Sequence, residues 1–402
     1  MALMRTTQLR LAATLAAAVL GCGGADETPA ALEAERAEQL ASLGYLDWAE
    51  GADPSRSGVT FRAPAADDGA LLLYASRPRS RAELIDRAGR VLHRWSAAPG
   101  TPAWQHVELG PGGDLYAIDK GGALLRLDGS SREIFRAEIG AHHDLAFAPD
   151  GALWVIAGRV REVPHGRGTL PIVDDRLVRL SPDGKLEREI SLWDALGDRV
   201  AGGRLDEVAE RIAQGLDDRE RPGSLADVFH ANSIQLVAWP GAPEGAAALL
   251  SVRELGRLVV LRLDTAEPLW EWGAGVLDAQ HDATLEPDGR LLVFDNGTQR
   301  GWSRILDVDP RRGRSVTRYA APGFFSARRG SVEATPGGGL LVTESDEGRV
   351  FEVDADGALV WEFWNPDVKE SSDGTRSRAA IYRMTRVEPA ALPPEAQASA
   401  AR

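Results

Sequence analysis

Along most of this chain, apolar residues fall in short runs separated by turns containing Gly, Asp or Pro. A Gly turn followed at once by large apolar residues recurs at Gly69 (DDG-ALLLY), Gly113 (PGG-DLYAI), Gly151 (PDG-ALWVI), Gly289 (PDG-RLLVF) and Gly338 (PGG-GLLVT). Trp239-Pro240-Gly241 is a looser sixth copy, followed after a short insertion by Ala248-Leu249-Leu250. Each copy continues into further strand-like pieces, such as RLVVLRL then PLWEW, or RVFEVD then ALVWEF. Strands and turns repeating at roughly 40–50 residues predict an all-β chain, a six-bladed β-propeller with four strands per blade. The interval between the third and fourth copies is about twice as long and predicts a short helical insertion between blades three and four, Trp193 to Val228. Within it Leu205, Val208 and Ile212 share one helix face. Two readings of that helix stand side by side, a surface helix packed on the propeller and a lid over the channel mouth.

The ends of the chain read differently. Arg5 and Arg10 flank the start of an apolar run from Leu11 to Leu20, and Gly21-Cys22 follows. Such a run is too short to remain as a spanning helix and reads as a secretory signal, residues 1–21. Val19-Leu20-Gly21-Cys22 resembles the lipobox of bacterial lipoproteins, which predicts lipidation of Cys22 and a membrane partner through the lipid anchor. Gly23 after the cysteine points to an exported protein on the outer membrane, facing the periplasm or the surface. Residues 22–60 are expected to be a tether with a short helix over Ala30 to Leu43, 61–388 the propeller and 389–402 a disordered tail. Ala379 to Glu388 (AAIYRMTRVE) alternates like a strand and is expected to close the ring against the first blade.

Composition narrows the function. The 402 residues carry 46 Lys and Arg against 60 Asp and Glu, a net charge of −14 without a basic block. Nucleic acid is not expected as a partner, because neutralising phosphates needs clustered cations. The single cysteine excludes an intrachain disulfide and a cysteine-based zinc site. No Walker loop, G-x-S-x-G elbow or H-E-x-x-H motif occurs, so no cofactor and no metal are expected.

In a propeller the inner strand of each blade lines the channel, so equivalent positions of different blades meet at one mouth. Counting back from the turn glycines places Phe61, Gln105, His143, His281 and Gly330 at the starts of inner strands. The looser blade begins with His230-Ala231-Asn232-Ser233. His143, His230 and His281 are therefore expected to converge, with Asn232 beside them. Asp144 and Asp282 follow two of these histidines and are positioned to fix their tautomers. Arg253 and Arg300 are expected at the same mouth, where a planar guanidinium suits a tetrahedral oxyanion.

Read together, these motifs resemble the bacterial arylsulfotransferase family over roughly residues 66–388. The resemblance is carried by LIDRAGRVLHRW, HHDLAFAPDG, PIVDDRLVRLSPDGKL, FHANSIQLV, QHDATLEPDGRLLVFDNG, SRILDVDP and GRVFEVDADGALVWEFWNP. It implies a six-bladed enzyme that moves a sulfuryl group from an aryl sulfate to a phenolic acceptor without a nucleotide, with a histidine carrying the group. It also implies that His230 and His281 match two active-site histidines and that Arg300 matches the arginine. In the family the sulfated histidine lies downstream of FDNG, whereas here no histidine follows His281 and Phe324 to Gly330 (FFSARRG) fills that region. His143 or His142 is then the expected substitute nucleophile. The alternative is a lipid-anchored propeller that binds a small anion, glycan or protein partner without turnover.

Overall fold

A computed structural model describes residues 47–66, 68–215, 226–243, 245–389 and 392. The signal segment, Cys22, the helix expected in Ala30–Leu43 and nearly all of the tail lie outside the described residues.

Six antiparallel sheets follow one another along the chain, each built on a strand that runs along a central channel. Those inner strands are Ile381–Val387, Trp104–Leu109, Ala141–Phe147, Ala231–Val237, His281–Leu285 and Ser331–Thr335. Adjacent sheets bury one apolar cluster at each of their six junctions. Trp95 and Trp104 pack between the first and second sheets, Tyr116 and Leu145 between the second and third, and Leu250 and Ile172 between the third and fourth. Leu249 with Val293, Phe294 with Phe351, and Trp361 with Leu72 complete the circuit. The ring is therefore closed, and the fold is a β-propeller.

The turns predicted at the Gly repeats form as the chemistry requires. Gly113, Gly151, Gly289 and Gly338 have φ between 82° and 84°, the left-handed region in which a side chain is strained. The aspartate of such a turn locks it: Asp354 Oδ1 accepts the Asp356 and Ala358 N–H groups at 3.0 and 2.9 Å.

Closure differs from the expectation at one end. Phe61 does not begin the first inner strand. Gly58–Arg62 instead pairs with Leu359–Trp364 as the fifth, outermost strand of the last sheet. The inner strand of the first sheet is Ile381–Val387, which pairs with Leu71–Ser76. The ordered fold also extends into the expected tether, since Trp48–Glu50 joins Arg376–Ala379 and Val368–Glu370 in a small separate sheet.

The insertion contains helices over Leu192–Leu196 and Gly202–Ala213. Val208 is fully buried, and Leu205 and Ile212 pack on the same cluster as Val163, Leu170 and Ile172 of the long third-sheet hairpin. This is the packed helix of the two readings. Residues 216–225 lie outside the described residues. None of the described helices is long and apolar enough to cross a membrane.

Candidate active site

Three hydrogen bonds between sheets set the register around the channel mouth. Asp144 Oδ2 accepts from Ile234 N–H at 3.0 Å, Ser233 Oγ from Ala283 N–H at 3.1 Å, and Asp282 Oδ2 from Val332 N–H at 2.8 Å. Asp144, Ser233 and Asp282 therefore occupy equivalent positions, and the residues before them, His143, Asn232 and His281, form the ring. Asn232 fills the ring position of the fourth sheet, and His230 enters the same pocket from two residues earlier. Both His143 (φ 60°) and His230 (φ 49°) are held in the left-handed region, a conformation that persists only where the surroundings impose it and that concentrates at functional sites.

The three predicted histidines meet. Ring centroids lie 4.7 Å apart for His143 and His230, 6.1 Å for His230 and His281, and 6.4 Å for His143 and His281. All three are at least nine-tenths buried. Each Nδ1 has its own partner. His230 Nδ1 is 3.0 Å from Asp227 Oδ2. His281 Nδ1 is 2.9 Å from Asn296 Oδ1. His143 Nδ1 is 2.8 Å from the Tyr382 hydroxyl. The Asn296 amide is oriented because its Nδ2 donates to the carbonyls of Ser326 and Arg329 at 2.7 and 2.9 Å. An oriented amide oxygen accepts from His281 Nδ1–H and leaves the Nε2 lone pair facing the pocket. Burial, and then the charge of Arg253, holds His281 well below the usual imidazole range; burial and then His230 does the same to His143.

The expected tautomer-fixing roles of Asp144 and Asp282 are corrected. Both turn into the channel and share Arg383 of the closing strand, which lies 3.1 Å from each. Asn232 bridges sheets by donating Nδ2 to the Gln280 carbonyl at 2.9 Å. Arg253 N–H donates to the His230 carbonyl at 3.2 Å, while its guanidinium pairs with Glu254.

Arg300 does not serve the mouth. Its Nε donates to the Trp302 carbonyl, both terminal nitrogens bond Asp295, and the guanidinium stacks on the Trp302 ring at 4.4 Å. It braces the FDNG turn, where Gly297 has φ 70° and a Cβ would fall 2.0 Å from the Trp302 carbonyl oxygen.

A further cation, Arg77, stands beside His143, and two more gather around it. Arg77 acts electrostatically on His143, lies over the Tyr382 ring at 5.8 Å and is 3.1 Å from Asp47. Burial and then neighbouring Arg329 lower its pKa to about 10. Arg329, from FFSARRG, is buried 3.6 Å from Asp346. Lys120 pairs with Asp47, and burial and then Arg77 lower it to about 8. Beside this charge, the next residue in the chain, Gly330, has no room for a side chain, because a Cβ would meet the Phe294 ring at 2.4 Å.

Sequence reasoning missed Asp227, Asn296, Tyr382 and Arg77. A signal for two of these, Arg77 and Asn296, exists in the repeat. Arg77, Lys120, Arg253 and Asn296 each follow the second strand of their sheet, as in LLLYASR, LYAIDK, LLSVR and LLVFDN.

A family profile described as Arylsulfotransferase (ASST) matches residues 119–366, well over half of the chain. The chain belongs to the arylsulfotransferase family. The match spans His143, Asp227, His230, Arg253, His281 and Asn296, and its function is sulfotransferase-like. No curated protein matches the chain. Among solved structures it is similar to a protein of unknown function from Bacteroides caccae, with TM-score 0.53 and 12% identity over 79% of this chain and 99% of that one. It is also similar to a streptogramin B lyase, with TM-score 0.47 and 12% identity over 85% and 98% of the two chains. A virginiamycin B lyase from Staphylococcus aureus gives TM-score 0.46 and 11% identity over 86% and 97%.

Proposed function

We propose that this arylsulfotransferase-family chain moves a sulfuryl group from an aryl sulfate to a phenol through a histidine, without a nucleotide. The observation that carries the reading is the meeting of His143, His230 and His281 in one buried pocket with a separate partner on each Nδ1.

In the first half-reaction the Nε2 lone pair of neutral His281 attacks sulfur in line. The N–S bond forms, the S–O bond to the aryl group breaks, and the electron pair leaves on the phenolate oxygen. His230, whose imidazolium Asp227 stabilises, gives that oxygen its proton. In the second half-reaction His230 takes the proton of the acceptor phenol, its oxygen attacks sulfur, and the N–S pair returns to His281. Arg77, Arg253 and Arg329 favour the anionic sulfuryl group, each such partner supplying a factor of about 10²–10³ in rate. His281 replaces His143 as the nucleophile because Asn296 leaves its Nε2 free to attack.

The decisive assay is release of 4-nitrophenol from 4-nitrophenyl sulfate, with and without added phenol, followed by mass spectrometry of the rapidly quenched protein. Phenol-stimulated release and a sulfuryl group on His281 support the reading. Label on His143 moves the nucleophile there. Sulfate binding without turnover leaves a non-catalytic binding propeller.

Export and lipid anchoring at Cys22 belong to the same proposal and rest on the basic, apolar and Leu-Gly-Cys pattern of residues 5–22. A Cys22→Ser variant should leave the membrane fraction; unchanged membrane retention would remove the anchor.

A further inference from the structure

Beneath the histidine pocket the channel holds a second group of side chains that sulfuryl transfer does not use. His106 and Glu108 stand two residues apart on Trp104–Leu109, so both point from one face of the strand into the channel. Asp144 projects towards them from the neighbouring inner strand Ala141–Phe147. One ligand atom from each of the three lies within 4.8 Å of the others. His106 Nε2 is 3.4 Å from Asp144 Oδ1 and 3.6 Å from Glu108 Oε2. Two ligands bound tetrahedrally at zinc–nitrogen and zinc–oxygen distances sit about 3.3 Å apart, so these separations match a shared ion.

A second observation is independent of the carboxylates. His106 is 2% exposed, and neither ring nitrogen has a hydrogen-bond partner among the described residues. Buried polar atoms are seldom left so, and the unpartnered Nε2 aims between the two carboxylates. Glu108, Asp144 and Asp282 gather around the guanidinium of Arg383, which lies 3.1 Å from Asp144 Oδ1 and from Asp282 Oδ1. We propose that His106, Glu108 and Asp144 bind one divalent transition-metal ion. An imidazole nitrogen with two carboxylates favours the zinc class over magnesium or calcium. The ion would tie the second sheet to the third directly below Tyr382, whose ring meets His106 edge-on at 5.5 Å. It takes no part in the transfer proposed above and stands independently of it.

The test is calorimetric titration of the full, chelator-stripped protein with Zn²⁺, with Mg²⁺ and Ca²⁺ titrated in parallel. One equivalent of Zn²⁺ should bind, raise the unfolding midpoint and exceed the affinity for Ca²⁺ at least tenfold. His106→Ala and Glu108→Gln, each with an unchanged circular dichroism spectrum, should weaken Zn²⁺ at least tenfold, whereas His281→Ala should not. If one of the two variants fails to fold, the other carries the test. No stoichiometric Zn²⁺, equal binding of Ca²⁺, undiminished binding in the folded variant, or loss of binding in His281→Ala would each overturn the proposal.

Discussion

Asp227 holds both ends of His230: its Oδ1 accepts the His230 backbone N–H at 2.8 Å, and its Oδ2 lies 3.0 Å from the ring Nδ1. The backbone bond holds the histidine in its left-handed conformation, and the ring contact sets its tautomer. Asp227 has no solvent exposure, and Asp175, equally buried, stands close behind with His142 at 3.1 Å from its Oδ1. Burial and then the neighbouring Asp227 raise the Asp175 pKa. Asp227→Asn keeps the backbone bond and loses the negative charge. The expected outcome is a fall in kcat of about 10²–10³-fold with KM nearly unchanged, the pattern of a lost acid–base partner. Steady-state kinetics with 4-nitrophenyl sulfate checks it, and an unchanged kcat would take His230 out of proton transfer.

Asn296 gives a second, separable prediction. Its oriented amide holds Nδ1–H on His281, so Asn296→Ala frees the imidazole to protonate or rotate. The burst of 4-nitrophenol that reports sulfuryl transfer to the enzyme should slow by about tenfold or more, while the acceptor half-reaction keeps its dependence on phenol. Stopped-flow absorbance resolves the burst. A burst unchanged in both rate and amplitude would return the nucleophile role to His143.

The contrast between Arg77 and Arg300 is a third. Arg77→Gln removes a buried cation beside His143 and Tyr382 and should raise KM for the aryl sulfate by about tenfold, roughly 1.4 kcal/mol. Arg300→Gln breaks a brace of the FDNG turn. It should lower the melting temperature and leave KM within about twofold. Equal effects of both variants on KM would restore Arg300 to the mouth.

The reach of sequence reasoning followed locality. The turn glycines and alternating strands are local signals, and they yielded the repeat, the helical insertion and three converging histidines. Ring closure was partly legible: Ala379–Glu388 alternates and pairs with the first blade as expected, but only the pairing of Ile381–Val387 with Leu71–Ser76 makes it the inner strand and leaves Gly58–Arg62 the outermost of the last sheet. Side-chain partners taken from different sheets were hidden. Tyr382 reaches His143 across 239 positions, and Arg383 spans Asp144 and Asp282. Arg300 misled because proximity to FDNG in sequence says nothing of where a guanidinium turns. Asp227, three residues before His230, was legible as D-x-x-H but needed the αL turn to be recognised as a partner.

Glu333 supplies a pH-dependent prediction on stability. Burial raises its pKa to about 7 despite the Arg386 N–H it accepts at 3.1 Å. A carboxyl raised on folding binds its proton more tightly in the native state, so its contribution is present at low pH. That contribution is lost as pH rises from the unfolded value towards 7. Glu333→Gln removes this term, and other titrating groups cancel in the comparison with wild type. The variant should therefore gain on wild type by about 1–2 kcal/mol between pH 5 and pH 8. Urea unfolding at the two pH values measures the difference. A gain in the opposite direction would mean that Glu333 is held ionised.

The closing strand joins fold and site in one element, and its removal should damage both in a way that can be reversed. Ile381–Val387 covers Leu71–Ser76, whose six residues are all buried, and it carries Tyr382 to His143 and Arg383 to the channel aspartates. A chain ending at Asp367 leaves an apolar inner edge with unpaired backbone groups, which invites pairing with another copy. The truncated protein should aggregate on size-exclusion chromatography and show no turnover. A synthetic peptide of residues 368–389 supplied during refolding should restore a monomeric peak by adding the missing strand. The same peptide with Tyr382→Phe should restore the monomer equally well, because the hydroxyl takes no part in strand pairing. Turnover in that complex should be lower, since His143 has lost its Nδ1 partner. A truncated chain that stays monomeric without peptide would show that ring closure does not depend on this strand.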